Sequence, residues 1–285
     1  MRAYLDLVER VLSKGSRKSN RTGVDTLSRF SEFYRVDLSQ GYPLLTTKEI
    51  NFKAMLREVL WYLSGQDHIR DLRKHTKIWD AWADEDGNLE TAYGRFWRRF
   101  PVPGQSAALG AEVFVDEQHP HVHREPDGSL SFDQVGWAID ELKTNPDSRR
   151  IVITAWHPAN AAVSKLPPCH ITWVLNVQDE TLNCHLSQRS ADLALGIPFN
   201  LAAYSLLTQA IAQEVGLKVG EFVHTLVDAH IYVNHIEGLK EQIKREPFRL
   251  PQLKIANKPF HQLQFEDFEL VDYRCHERIR FEVAV

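Results

Sequence analysis

The stretch from Pro198 to Val215 reads as the clearest helix in the chain, nearly all apolar from Leu201 to Ile211 and stopped by Gly216. No apolar run here is long enough to span a bilayer, so this one belongs in a protein interior. The composition can supply that interior. Of the 285 residues, 43% are apolar, with seven tryptophans and fourteen phenylalanines, which argues for a deep core and against disorder.

Around this helix the periodicities alternate irregularly. Tyr4, Leu5, Val8, Val11 and Leu12 make Met1 to Lys14 an amphipathic helix and not a signal peptide. Thr26 to Leu38, with Leu27, Phe30, Phe33 and Val36 amid polar residues, has strand character. Phe52, Met55, Leu56, Val59, Leu60 and Leu63 predict a long helix ending at Gly65, and residues 67–83 begin with a helical look and end rich in tryptophan. From Phe100 to Asp133, prolines, glycines and the Pro126-Asp127-Gly128 signal suggest an exposed loop or hairpin.

Further on, a helix is expected over Trp137–Lys143 and a buried strand over Ile151–Trp156. Ile171–Val177 and Thr181–Leu186 read as paired strands joined at Gln178-Asp179-Glu180. Val223–Val227 reads as a short strand and Asn234–Lys244 as a helix, and short strands follow. With no repeat, linker or composition break, these elements predict one α+β domain over 1–285. Its frame is a bent, mixed sheet with flanking helices, and a variable loop or hairpin is inserted at about 101–132.

The formal net charge of −4 argues against bulk binding to DNA or to an anionic membrane, though a local arginine cluster can still hold one phosphate. Cys169, Cys184 and Cys275 are an odd, sparse set, pointing to a reducing, cytoplasmic setting without a disulfide framework.

The chemistry concentrates in one region. Pro167-Pro168-Cys169-His170 is followed nineteen residues after the cysteine by Gln188-Arg189-Ser190-Ala191-Asp192, then by Leu195-Gly196-Ile197-Pro198-Phe199-Asn200. A cysteine is most often a small buried hydrophobe, the reading kept for Cys184; Cys275 stays unassigned. Cys169 instead follows two prolines at a loop-to-strand junction, a rigid setting that suits a nucleophile, and a nearby positive charge would favour its thiolate. Arg189, Arg21, Arg149 and Arg150 stand at element ends where a guanidinium can fork onto phosphate oxygens, with Ser190 as a neutral donor. Asn200 is either a helix N-cap or an amide that pairs with a pyrimidine edge. Trp79 and Trp82, in a polar stretch, are candidates to wall a pocket. His119, His121 and His123 alternate as metal ligands can, but no further ligand has suitable spacing, so a hairpin is preferred and no metal is expected.

Assembled, these residues resemble the folate-dependent thymidylate synthase family. The likeness extends from Asn20-Arg21-Thr22-Gly23 through Pro43-Leu44-Leu45-Thr46-Thr47-Lys48, Glu58-Val59-Leu60-Trp61, Ile78-Trp79-Asp80, Tyr93-Gly94 and Trp97-Arg98 to Asp228-Ala229-His230-Ile231-Tyr232-Val233-Asn234-His235 and the terminal Ala284-Val285. The resemblance implies methylation of dUMP at C5 with 5,10-methylenetetrahydrofolate, giving dTMP and dihydrofolate. It implies that Cys169 attacks C6 of the uracil and that Arg189 lowers the thiol's pKa. The dUMP would be held by Arg21, Gln188, Arg189, Ser190, Asp192, Asn200, His230 and Tyr232. Glu58 would organise proton-shuttling waters as a general acid, and Tyr93 and His170 would join the catalytic network with Asp192 and Asn200. Ile78, Trp79, Trp82, Asp192, Leu195, Gly196 and Phe199 would line the folate pocket, closed by Val285. A homodimer is implied too, with Arg149 and Arg150 reaching the partner's phosphate.

The chain departs from the family pattern at Ser187, usually tyrosine, at Val227, usually glycine, and at Phe96, usually glutamine. Trp173-Val174-Leu175-Asn176 and Val24-Asp25 also replace familiar residues. The alternative activity is therefore a deoxyuridylate or deoxycytidylate hydroxymethylase, in which water and not hydride captures the methylene.

Overall fold

The computed structural model describes residues 1–102 and 116–283. In chain order the elements begin with α1 (Arg2–Lys14), β1 (Ser16–Lys18), β2 (Thr26–Asp37), α2 (Phe52–Ser64) and α3 (Tyr93–Arg98). Then come β3 (Phe100–Pro101), β4 (Val122–Arg124), β5 (Leu130–Phe132), α4 (Gln134–Thr144), β6 (Val152–Thr154) and α5 (Pro158–Val163). The last are β7 (His170–Gln178), β8 (Thr181–Gln188), β9 (Ala191–Asp192), α6 (Gly196–Val215), β10 (Lys218–Tyr232), α7 (Ile236–Gln242), β11 (Gln252–Ile255) and β12 (Phe268–Val271). The fold is α+β. Two compact units divide it, one made of Met1–Arg57 with Cys169–Val285 and the other of Glu58–Pro168.

In the first unit a mixed sheet runs in the order β1-β2-β10-β8-β7, with β9 also beside β10. The β2–β10 and β7–β8 pairs are antiparallel, while β10 runs parallel to β8 and β9. The β7–β8 hairpin turns on Asp179 and Glu180, both left-handed at φ 49° and 58°, the twist that a two-residue hairpin needs. Against β8 and β10 packs α6. Leu201, Leu206 and Ile211 on it are fully buried, each worth roughly 2 kcal/mol of removed apolar surface. Gly216 ends the helix in the left-handed conformation at φ 73°, its N–H donating to the Ala212 and Gln213 carbonyls.

In the second unit β3, β5 and β4 form a small antiparallel sheet, with Glu125 N–H donating to Ser129 across the Pro126-Asp127-Gly128 turn. Asp133 caps α4 by accepting from Gly136 N–H at 2.9 Å and also takes a two-pronged ion pair from Arg98 at 2.9 and 2.7 Å. Gln134 donates to the Phe96 and Thr154 carbonyls and accepts from Thr154 N–H, tying α4 to α3 and β6.

Several elements differ from their sequence patterns. Residues 67–83 hold only a single 3-10 turn at Leu72–Lys74. The backbone there bonds to the loop that follows, Ile69 N–H to Gly87 and Leu89 N–H to Asp67, and Asp84 takes both N–H groups of Asn88, so short polar side chains outcompete a helix. The strand expected at Val223–Val227 is the centre of β10, which extends to both sides because it has a ladder partner on each edge. On β2, Phe30 and Phe33 are exposed at 83% and 58%, whereas Ser28 and Glu32 are buried. Glu32 is accommodated by ion pairs from Arg10 and Arg29. Among the described residues no helix is long and apolar enough to cross a membrane.

Candidate active site

The hairpin register creates the first centre. His170 at the start of β7 lies opposite Gln188 at the end of β8, so Cys169 and Arg189 meet although twenty residues apart. Arg189 N–H donates to the Cys169 carbonyl at 2.9 Å, and its guanidinium Nη2 stands 3.9 Å from Cys169 Sγ. A fixed cation at that distance favours the thiolate, and Cys169 is partly open to solvent. Cys184, in contrast, is buried, and burial pushes its thiol up to about 12.

Beside them, α6 begins at Gly196 with Leu195 as its N-cap, so Asn200 is the fifth residue of the helix and not the cap. Its side chain hydrogen-bonds His170 instead, which also pairs through Nδ1 with the Tyr204 hydroxyl at 3.1 Å. Burial pushes the His170 imidazole down to about 4, leaving it neutral at physiological pH. Leu195, Gly196, Phe199 and Asn200 keep partial exposure while Ile197 and Pro198 are buried. Asp192 Oδ1 accepts from the Ala194 and Leu195 N–H groups at 2.8 and 3.4 Å, which orients its carboxylate ahead of α6.

The far end of β10 brings in His230 and Tyr232 through its pairing with Asp192 and Thr26. His230 lies against Asp228, Nδ1 to Oδ1 at 3.3 Å, and this contact with Lys18 and Ser28 holds the Asp228 carboxyl well below the usual range. Tyr232 is half-buried, and burial with the nearby Asp192 charge raises its phenol. Arg21 stands in a turn where Asn20 Oδ1 accepts from Thr22 N–H and Oγ1 at 2.9 and 2.7 Å. Gln188 is buried, both ends of its amide engaged within the protein; Ser190 is partly exposed.

A second centre lies in the other unit. Glu58, only 8% exposed, accepts from Trp79 Nε1–H at 2.7 Å. Burial pushes its carboxyl up to about 7, against the lowering effect of hydrogen bonds from Trp79 and Tyr62. Trp79 is ringed by Trp61, Trp82 and Tyr93 at centroid distances of 5.8, 5.6 and 6.0 Å. Ile78, Trp79 and Trp82 are partly exposed, and Tyr93 is buried at the start of α3. Arg149 and Arg150 are exposed after α4 and form no side-chain ion pair among the described residues.

Lys48 escaped sequence reasoning as a site residue. Only 4% exposed, it donates to the Ala194 carbonyl, lies 4.5 Å over the Phe281 ring, and is pushed down to about 8 by burial. The signal available was a lysine closing an otherwise uncharged run, Leu44-Leu45-Thr46-Thr47. His121 Nε2 is 3.0 Å from Asp140 Oδ2, and no described cluster of three or more His, Cys, Asp or Glu side chains is arranged for a metal. Val285 lies outside the described residues.

Two comparisons bear on this geometry. The family model described as thymidylate synthase matches residues 2–285. A thymidylate synthase of Haloferax volcanii is 46% identical over 332 aligned positions, covering 98% of this chain and 95% of that protein.

Proposed function

The chain belongs to the thymidylate synthase family and is an enzyme of that family, and from that premise we propose that it converts dUMP to dTMP with 5,10-methylenetetrahydrofolate through a covalent adduct between Cys169 and C6 of the uracil. The observation that carries the reading is the Arg189 guanidinium 3.9 Å from Cys169 Sγ. The thiolate adds to C6, moving ring electrons to C5; C5 takes up the one-carbon unit and gives up its own proton, and the C6–S bond breaks again as the methyl group is completed and the C5–C6 double bond returns. Arg189, Arg21 and Ser190 hold the phosphate, His230 and Tyr232 the deoxyribose hydroxyl, and Asn200, steadied by His170, the pyrimidine edge.

The folate, when bound, supplies both the one-carbon unit and the hydride. Leu195, Gly196 and Phe199, partly exposed around the start of α6, offer the folate a face edged by the Asp192 carboxylate, and in the other unit Ile78, Trp79 and Trp82 offer partly exposed apolar and aromatic faces suited to a flat heterocycle. Glu58, poised near neutrality by burial, exchanges protons through water, with Tyr93 alongside. Val285 closes the pocket against water in this reading. In this proposal 1–285 acts as one catalytic domain in a reducing, cytoplasmic setting.

The enzyme works as a homodimer in this proposal, with Arg149 and Arg150 donated to the partner's phosphate. Their freedom from ion pairs among the described residues and the exposed Phe30 and Phe33 support it. Light scattering should return twice the monomer mass, and a monomeric active species would end that part of the reading. The decisive assay incubates the protein with dUMP and methylenetetrahydrofolate and identifies both products. One dihydrofolate per dTMP is expected, while 5-hydroxymethyl-dUMP without dihydrofolate would establish the hydroxymethylase instead.

A further inference from the structure

Gln188, Tyr34 and His224 are all but sealed from solvent, at 3%, 3% and 0% exposure. Gln188 Nε2 donates to the Ser190 carbonyl at 2.8 Å. Its Oε1 lies 2.9 Å from His224 Nε2, and His224 Nδ1 lies 2.9 Å from the Tyr34 hydroxyl.

The sense of each bond follows from what each group can do. The Ser190 carbonyl only accepts, so the Gln188 nitrogen must face it and the Gln188 oxygen must face His224. That oxygen requires the proton on His224 Nε2. Burial, with His170 and His185 nearby, drives the imidazole well below its usual proton affinity, so it carries one N–H only. His224 Nδ1 then accepts from the Tyr34 hydroxyl. The result is a chain with a single direction, Tyr34 to His224 to Gln188 to Ser190, in which no donor or acceptor is interchangeable.

The chain crosses neighbouring strands, since His224 on β10 pairs with Tyr34 on β2 and with Leu186 on β8. It ends on the residue after Arg189. Arg189 is already held from two sides, its N–H donating to Cys169 O at 2.9 Å and its carbonyl accepting from Asp228 N–H at 3.2 Å. The Ser190 carbonyl adds a third tie one peptide further on.

We infer that Tyr34, His224 and Gln188 are positioning residues, whose directional hydrogen bonds hold the Arg189–Ser190 turn so that the guanidinium stays against Cys169 Sγ. Gln188 thus serves the nucleophile through Ser190 and Arg189. The inference rests on the proposed function only in taking the Cys169 thiolate as the reacting group.

The test is iodoacetamide alkylation of the ligand-free protein across pH, with Cys169 followed by peptide mass spectrometry to separate it from Cys184 and Cys275. Gln188→Leu should slow Cys169 alkylation at pH 7 by about tenfold and move the midpoint of the profile upward. Tyr34→Phe, which keeps the ring and loses only the first donor, should do the same by about threefold. His224→Phe should match Gln188→Leu, and His224→Gln, whose amide can donate and accept in the same sense, should recover most of the loss. A purely structural role would lower the unfolding temperature without moving the midpoint. An unchanged midpoint in folded Gln188→Leu and Tyr34→Phe overturns the inference, and if Gln188→Leu does not fold, an unchanged midpoint in Tyr34→Phe does so alone. Failure of the wild-type protein to make dTMP, with the alkylation shifts intact, would instead reject the proposed function and leave the positioning role standing.

Discussion

The centres around Cys169 and Glu58 solve opposite problems by opposite means. Cys169 is a partly exposed thiol beside a guanidinium, so a charge partner favours its ionised form. Glu58 is a sealed carboxyl walled by aromatic rings, where desolvation favours the neutral form and lifts it to about 7. A nucleophile needs its negative form available, and a proton carrier needs both forms in reach. The environments differ in kind: one places a guanidinium beside the reacting atom, the other excludes water with many side chains.

Removing each group measures how much the chemistry depends on it. Cys169→Ser should cut dTMP formation by roughly 10⁴-fold or more while dUMP still binds, as calorimetry would show. Substantial residual methylation would refute covalent catalysis. Glu58→Gln should cost about 10²- to 10⁴-fold in kcat and erase the limb of the pH–rate profile near 7. A surviving limb would assign it to another group.

Stability should respond in the reverse direction at the second centre. The folded Glu58 carboxyl titrates at about 7, above the ordinary 4.5 of an unfolded glutamate, so folding takes up a proton between pH 4.5 and about 7, and its contribution to stability falls as pH rises through that window. Glu58→Gln should therefore match wild type near pH 4 and gain roughly 3 kcal/mol at pH 8, read by urea unfolding. An equal gain at both pH values would mean that burial does not set this carboxyl. Trp79→Phe removes a donor to the carboxylate and should raise the pH limb by about half a unit. Salt separates the centres most gently. At 1 M ionic strength, Cys169 alkylation should slow about twofold, while the limb assigned to the buried Glu58 should hardly move.

Much of this was legible from local pattern. The β7–β8 hairpin, α1 and α6 follow from period, turn chemistry and the stop at Gly216. The chemical types were legible as well: a cysteine behind prolines, and an arginine and a serine ahead of an acid. Polar segments were harder. Residues 67–83 looked helical until Asp84 and the 87–89 loop took their hydrogen bonds, and β10 looked short because neighbouring strands, not its own residues, extend it. Asn200 reads in sequence either as a cap or as a pyrimidine partner, and the start of α6 at Gly196 removes the cap.

Which side chains could act as nucleophile, cation and proton carrier was written in residue identity and spacing, because those properties belong to the residues themselves. Folding settled which of them act together and in what charge state. The β7–β8 register brings Arg189 to Cys169, burial lifts Glu58, and three distant segments supply Tyr34, His224 and Gln188 to one directed chain. Each depends on atoms far apart along the chain, since desolvation and strand register are sums over neighbours that no local window contains.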